Sequence, residues 1–478
     1  MRNLTLLTDL YQLTMMYGYY KSGITDQVAT FDMFYRRQSE TMHHAVFAGI
    51  AQLIEYIQDL RFEPEDLTYL RSLNLFDEGF LASLRDFSFQ CDIQAVPEGT
   101  IVFPGEPLIR VSGPLVQAQL VETALLNIIN HQTLIASKAR RVVEAANGGV
   151  LLEFGLRRAQ GPDAGIYGAR AAMIGGFDAT SNVLAGQMFD IKVMGTHAHS
   201  WVMSFPDELS AFRAYAEHFP DSCTLLVDSY DTLASGVPNA IKVFEELREK
   251  GYEGVGIRLD SGDLAYLSRE ARRMLDEAGF PGVKICASGD LDETIIRDLK
   301  LQDARIDIWG VGTKLITSMD CPALGGVYKL SAIERDGRIE PKMKISNNPA
   351  KVTNPGIKKL MRIYDKQNGM AIADLIALDI EIFDESQPLT IFDPIDTWKE
   401  MTLTNYEIKP LHVPIFAKGE LVYESPTLTQ IREHTKKELS TFWDQYRRIL
   451  NPHVYKVDLS DRLWTLKQRM LSPRQSRR

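Results

Sequence analysis

Polar, glycine-rich clusters recur in this chain at one kind of position, directly after short apolar runs. They are Glu153-Phe154-Gly155-Leu156-Arg157, Gly195-Thr196-His197-Ala198-His199-Ser200, Asp228-Ser229-Tyr230-Asp231, Arg258-Leu259-Asp260-Ser261-Gly262-Asp263, Ser288-Gly289-Asp290 and Gly310-Val311-Gly312-Thr313. Ser261-Gly262-Asp263-Leu264 and Ser288-Gly289-Asp290-Leu291 echo each other. Small residues between a strand and a helix let successive backbone N–H groups converge on an anion. The same residues are also ordinary turn and N-cap chemistry. Three such nests, counting Gly312-Thr313, point to a ligand with more than one phosphate. Arg157 and Arg258 follow or end strands, where an unpaired cation is poorly solvated unless it meets an anion. Phosphate is one source, and salt bridges to Asp228, Asp260 or Asp290 are the plainer one. Carboxylates beside phosphates suit Mg²⁺, with Asp260 and Asp290 as its ligands.

His197 and His199 have the spacing of a metal pair at a strand end. A zinc hydrolase would need further histidines at later strand ends. The others are His43, His44, His131, His218, His412, His434 and His453, and none follows a predicted barrel strand. A histidine near carboxylates instead suits acid/base or nucleophilic work, with Asp228 as an orienting partner. A purely structural histidine is the competing reading.

The elements that must carry these clusters are strands alternating with helices. Strands are predicted at 150–154, 191–194, 223–228, 255–259, 283–287 and 306–311, with helical patterns such as NAIKVFEELREKGY and AYLSREARRMLDEAG between them. Crossover helices imply parallel pairing. Six such units suit an α/β barrel, whose strand C-terminal ends share one mouth. Upstream, residues 91–114 read as a small antiparallel β unit. The proline-free run 115–147 reads as one or two helices ending at Gly148-Gly149. Downstream, 342–359 is basic and loop-like, IREHTKKELSTFWDQYRRIL reads as an amphipathic helix, and the tail 472–478 as a frayed end. The resulting division is an N-terminal α+β domain over 1–135, an α/β barrel over 136–335 and a C-terminal region over 336–478.

Composition bounds the function classes. The 478 residues are 45% hydrophobic and 24% charged, with a net charge of -10. That is ordinary for a globular enzyme and lacks the basic excess of a nucleic-acid or membrane-surface binder. Cys91, Cys223, Cys286 and Cys321 contain no CxxC pair and read as buried thiols. Asp9 interrupts the apolar start, and no other segment is long and apolar enough to span a bilayer. A cytoplasmic location is the expectation.

TDLYQLTM (8–15), EFGLRRAQGPDAG (153–165), GGFDATSNVLAG (175–186), GTHAHS (195–200), VDSYDT (227–232), RLDSGDL (258–264) and GVGTKL (310–315) resemble the nicotinate phosphoribosyltransferases. The related nicotinamide enzyme carries a glutamate just before its reactive histidine, where this chain has Ala198. The resemblance implies a type II phosphoribosyltransferase: an irregular TIM-like α/β barrel packed on an N-terminal α+β domain, with a C-terminal extension. It implies a homodimer with shared active sites. The implied substrates are nicotinate and phosphoribosyl pyrophosphate, with ATP as co-substrate and Mg²⁺ as cofactor. His199 would be phosphorylated by ATP and positioned by Asp228. Phe154, and Tyr11 of the second copy, would wall the pyridine. Arg157 and Arg258 would face phosphate and the nicotinate carboxylate. Asp260, Ser261, Gly262, Ser288, Gly289, Asp290, Gly312 and Thr313 would hold ribose, phosphates and metal. Two other readings are a sugar-phosphate lyase or aldolase barrel using Lys314, and a nucleotide-sensing pseudoenzyme.

Overall fold

The computed structural model describes residues 3–36, 42–348, 351–396 and 398–472. The predicted frayed tail lies outside them apart from Ser472. The chain divides into two compact units, Met1–Leu134 with Ala323–Arg478, and Ile135–Pro322. The first unit is therefore discontinuous, closed by chain that returns after the second.

The second unit carries the strand–helix alternation. Its sheet runs Ala179–Thr180, Val150–Glu153, Ile308–Val311, Lys284–Ala287, Gly256–Leu259, Thr224–Leu226, and every pairing is parallel. The last strand in sequence thus inserts beside the first. These strands are short and mostly buried, as Leu151, Leu225, Ile257, Ile285 and Trp309 illustrate. They therefore read as continuous apolar runs. Helices Val237–Glu249 and Leu264–Glu277 fall where the sequence places them.

The strand expected at 191–194 is a correction. Only a single parallel bridge forms, Thr180 to Val193, because its partner strand is two residues long. Between this bridge and the far edge at Thr224–Leu226 a side chain replaces the ladder. The Leu226 N–H, which points away from the Gly256 strand, donates to His197 Nε2 at 3.2 Å. This bond stitches the open seam of the barrel-like sheet.

In the first unit a seven-stranded antiparallel sheet runs Arg338–Pro341, Gly326–Arg335, Val28–Tyr35, Ile109–Pro114, Asp92–Ala95, Val413–Ala417, Glu420–Leu421. Gly326–Arg335, counted with the barrel in the sequence reading, pairs instead with Val28–Tyr35. The antiparallel reading of 91–114 holds. The run 115–147 is two helices, Leu115–Leu120 and Glu122–Ala146. A second, six-stranded sheet is built from Lys358–Asp365, Ala371–Leu378, Leu389–Phe392, Glu400–Leu403, Tyr406–Pro410 and Lys456–Ser460. The predicted C-terminal helix is Leu428–Ser440, followed by a short turn of helix at Asp444–Arg447. All four cysteines are free and buried. Among the described residues no helix is long and apolar enough to cross a membrane.

Candidate active site

The C-terminal ends of the parallel strands in the second unit bring most of the predicted residues into one hydrogen-bonded cluster. Arg258, the third residue of its strand, is the hub. Its Nε donates to Ser288 Oγ at 2.8 Å, Nη1 to Thr196 Oγ1 at 3.0 Å and Nη2 to Asp260 Oδ1 at 2.9 Å. Its guanidinium carbon also lies 5.4 Å from the centre of the Phe154 ring. A guanidinium over an aromatic face holds both in one orientation. Phe154 can lie there because position 310 is glycine, since a Cβ would stand 2.7 Å from two of its ring carbons.

Asp228 and Asp260 are linked through the backbone. Asp228 Oδ2 accepts from the Asp260 N–H at 2.8 Å and from Ser261 Oγ at 2.7 Å. Its Oδ1 is buried and accepts no hydrogen bond among the described residues. Asp260 Oδ1 accepts from Arg258 and, by a short bond, from Ser288 Oγ. Burial pushes the Asp260 carboxyl up, but the Ser288 hydroxyl and the Arg258 charge outweigh it, and the group rests below its ordinary value. It is therefore ionised at neutral pH.

The two histidines are separated by environment. His197 is 8% exposed, and burial, with the nearby Arg258 and His199 charges, pushes it down to about 4. Its Nε2 accepts from Leu226 and its ring packs edge-on against Tyr215, 4.7 Å away. It is a neutral structural residue. His199 has a side chain 38% exposed, with Nε2 3.9 Å from Asp228 Oδ1 and 3.8 Å from Asp260 Oδ2. Its Nδ1 shares a 3.0 Å hydrogen bond with Ser229 Oγ. The direct orienting contact thus comes from Ser229, while Asp228 faces the opposite ring nitrogen beyond hydrogen-bond range. Ser229 lay in a recognised cluster, but no sequence signal distinguished it from its neighbours.

Ser288 is buried, and Gly289 and Asp290 beside it are exposed. Gly289 has φ +99° and packs against the Asp260 carbonyl, where a Cβ would collide. Asp290 follows in the left-handed region at φ +49°. Ser261 and Gly262 are exposed, and Gly312 and Thr313 half-buried at the start of the short helix Thr313–Ile316. Arg157 is exposed on the turn Leu156–Arg158 and makes no ion pair among the described residues. Lys314, which a lyase would need free, donates to Asp292 at 2.8 Å. Sequence reasoning gave no role to Glu153 or Thr180. Glu153 accepts from Thr180 Oγ1 at 2.6 Å and from the Gly155 N–H, bracketing Phe154. Tyr11 belongs to the first unit, on helix Leu10–Lys21, and is 47% exposed, not a core residue.

Among the described residues no group of three or more His, Cys, Asp or Glu stands together as a metal site. Mg²⁺ asks for less, one or two carboxylates with phosphate oxygens completing its shell. Ionised Asp260, with Oδ2 turned away from Arg258 and toward His199, fits that need; exposed Asp290 lies two residues beyond Ser288. A separate cavity of about 580 Å³ lies in the first unit, walled in part by Lys329, Lys351, Lys358 and Lys467. The basic stretch 342–359 supplies two of these, and no residue of the strand-end cluster lines it.

The chain matches three family models: the nicotinate phosphoribosyltransferase (NAPRTase) N-terminal domain over residues 6–130, the NAPRTase family over 150–373 and the NAPRTase C-terminal domain over 357–467. It is 50% identical over 475 residues to nicotinate phosphoribosyltransferase of Bacillus subtilis (strain 168), covering 99% of this chain and 96% of that protein. The Homo sapiens enzyme of the same name is 34% identical over 519 residues, covering 96% and 95%. The crystal structure of human nicotinic acid phosphoribosyltransferase superposes with a TM-score of 0.87 at 32% identity, covering 97% of this chain and 99% of that one. A nicotinate-nucleotide pyrophosphorylase from Pyrococcus furiosus, at 24% identity and a TM-score of 0.70, shares the fold. The chain belongs to the nicotinate phosphoribosyltransferase family.

Proposed function

We propose that the protein is an enzyme of NAD salvage that joins nicotinate to the anomeric carbon of phosphoribosyl pyrophosphate. Nicotinate mononucleotide forms and pyrophosphate leaves, while ATP and water become ADP and phosphate. The observation that carries this reading is the strand-end cluster in which Arg258 joins Phe154, Asp260 and Ser288, with His199 facing Asp228 and Asp260, in a chain of this family. Displacement at an anomeric carbon passes through an oxocarbenium-like state. The site must align a weak ring nitrogen and steady a departing anion. Phe154 supplies the flat wall for the pyridine, and Arg258, held beside it, offers its remaining N–H groups to the nicotinate carboxylate. Arg157, exposed and without an ion pair among the described residues, meets phosphate. Ser261-Gly262, Ser288-Gly289 and Gly312-Thr313 supply donors to the phosphates.

His199 accepts the phosphoryl group of ATP. One ring nitrogen is held by Ser229 and the other is open toward the two carboxylates. Asp260 and Asp290 would hold Mg²⁺. When bound, the ion neutralises charge on the pyrophosphate. Tyr11 of a second copy completes the aromatic slot in a homodimer. The enzyme works in the cytoplasm.

Against the lyase reading, Lys314, the lysine it would use, is tied to Asp292. The test is to mix the protein with phosphoribosyl pyrophosphate, Mg²⁺, ATP and either nicotinate or nicotinamide, and to quantify mononucleotide by mass spectrometry. Nicotinate is expected to win by at least about a hundredfold in kcat/KM, because the amide offers the remaining Arg258 N–H groups one neutral acceptor where the carboxylate offers two charged ones. Equal efficiency with both substrates refutes the Arg258 pairing.

A further inference from the structure

In the second unit four charged side chains form a mutually paired group. Lys138 and Arg141 stand three residues apart on one face of the helix Glu122–Ala146. Lys138 Nζ is 2.7 Å from Glu293 Oε2 and 2.6 Å from Asp320 Oδ1. Arg141 repeats the pattern, with Nε 2.9 Å from Glu293 Oε1 and Nη2 2.6 Å from Asp320 Oδ2. Each cation binds both carboxylates, and the two charges of each sign balance. The side chains of Lys138, Arg141 and Glu293 are 3%, 9% and 7% exposed, and Asp320 is 29% exposed. Buried ion pairs contribute little net stability compared with apolar packing, while removing one partner is costly. Such a group therefore suits geometry better than stability.

The two carboxylates belong to different loops. Glu293 opens the helix Glu293–Leu301, three residues after Asp290, and Asp292 caps that helix by accepting from the Ile295 N–H at 2.8 Å. Asp320 follows the short helix Thr313–Ile316 that begins at the Gly312-Thr313 nest. Between the loops, Lys314 Nζ donates to Asp292 Oδ2 at 2.8 Å. The long helix thus grips one carboxylate from each loop, and Lys314–Asp292 joins the loops on the side nearer the nests.

We infer that the Lys138–Arg141–Glu293–Asp320 quartet is a positioning device that sets the spacing between the Ser288-Gly289-Asp290 and Gly312-Thr313 nests, and with it the fit to a pyrophosphate-bearing ligand. This rests on the phosphoribosyl transfer reading. None of the four touches the substrate. They hold two sets of backbone donors in register for an anion that spans both. Misplacement of such donors by about 1 Å is enough to weaken binding substantially.

The test uses Lys138→Met and Asp320→Asn in the full-length protein, with KM for each substrate and calorimetric binding of inorganic pyrophosphate. Both variants are expected to raise KM for phosphoribosyl pyrophosphate about tenfold and to weaken pyrophosphate binding by a similar factor, with KM for nicotinate within about twofold. Asp320→Asn, at the most exposed corner, carries the test if Lys138→Met does not fold. Unchanged pyrophosphate binding, or equal rises in both KM values, overturns the inference and leaves the quartet a structural salt bridge. Pyrophosphate binding needs no turnover. A wild-type protein that makes no nicotinate mononucleotide would therefore refute the reaction without deciding the positioning role, which the variants' pyrophosphate affinities decide by themselves.

Discussion

Replacing His197 by Phe removes the acceptor that closes the seam of the parallel sheet while keeping an aromatic ring against Tyr215. The Leu226 N–H, bonded to His197 at 3.2 Å, then stays buried without a partner. A buried donor left unsatisfied costs about 1–3 kcal/mol, so a loss of about 2 kcal/mol is expected at pH 7.5. The loss has a pH signature because burial holds the folded imidazole at about 4 against an ordinary value of 6.5. A base with a depressed folded pKa contributes stability fully above its unfolded value, and that contribution fades as pH falls from 6.5 toward 4. Between pH 7.5 and 5.5 wild type should lose on the order of 1 kcal/mol from this one residue, and the variant none of it. Other titrating groups are common to both proteins and cancel in the difference. Urea unfolding of both proteins at the two pH values, followed by tryptophan fluorescence and circular dichroism, should show a gap of about 2 kcal/mol that shrinks to roughly half or less at the lower pH. A gap that stays the same at both pH values, or a variant as stable as wild type at pH 7.5, would refute the seam.

Three other predictions concern the site. His199→Ala should leave the fold intact and abolish the phosphoenzyme formed from labelled ATP, with slow ATP-independent turnover surviving; label retained in the variant, or found on His197, contradicts the assignment. Gly310→Ala places a methyl against Phe154 and should raise KM for nicotinate about tenfold while changing that for phosphoribosyl pyrophosphate little; an unchanged nicotinate KM would show that Phe154 does not wall the pyridine. Tyr11→Ala should likewise weaken nicotinate binding, and mixing it with His199→Ala under subunit exchange should raise activity above either protein alone. A fully active Tyr11→Ala protein, or a monomeric active enzyme, removes the shared-site reading.

The strand-end clusters were legible because fully buried parallel strands show as apolar runs, and the polar residues that follow them share one end of the sheet. The sheet order was not. Nothing local to Ile308–Val311 says that it inserts beside Val150–Glu153. The two-residue strand Ala179–Thr180 is too short to carry a period. The sheet formed from Lys358 onward is hidden in the sequence for a different reason. Its core holds Arg362 bonded to Asp374 at 2.8 and 2.7 Å, both fully buried, so charges interrupt runs that are nonetheless interior. The discontinuous first unit was also invisible, because the pairing of Val28–Tyr35 with Gly326–Arg335 spans about three hundred residues. In the site, residue types announced His199, Asp228, Asp260 and Arg258. The contacts of Ser229, Thr196 and Thr180 are ordinary hydroxyl bonds that only three dimensions select.

The most direct test of the account is a crystal structure of the protein with nicotinate mononucleotide and pyrophosphate bound. The pyridine should lie against Phe154 with its carboxylate on Arg258, and the phosphates on Ser288-Gly289 and Gly312-Thr313. Mononucleotide bound away from the strand ends of the second unit, or in the lysine-lined cavity of the first, would contradict it.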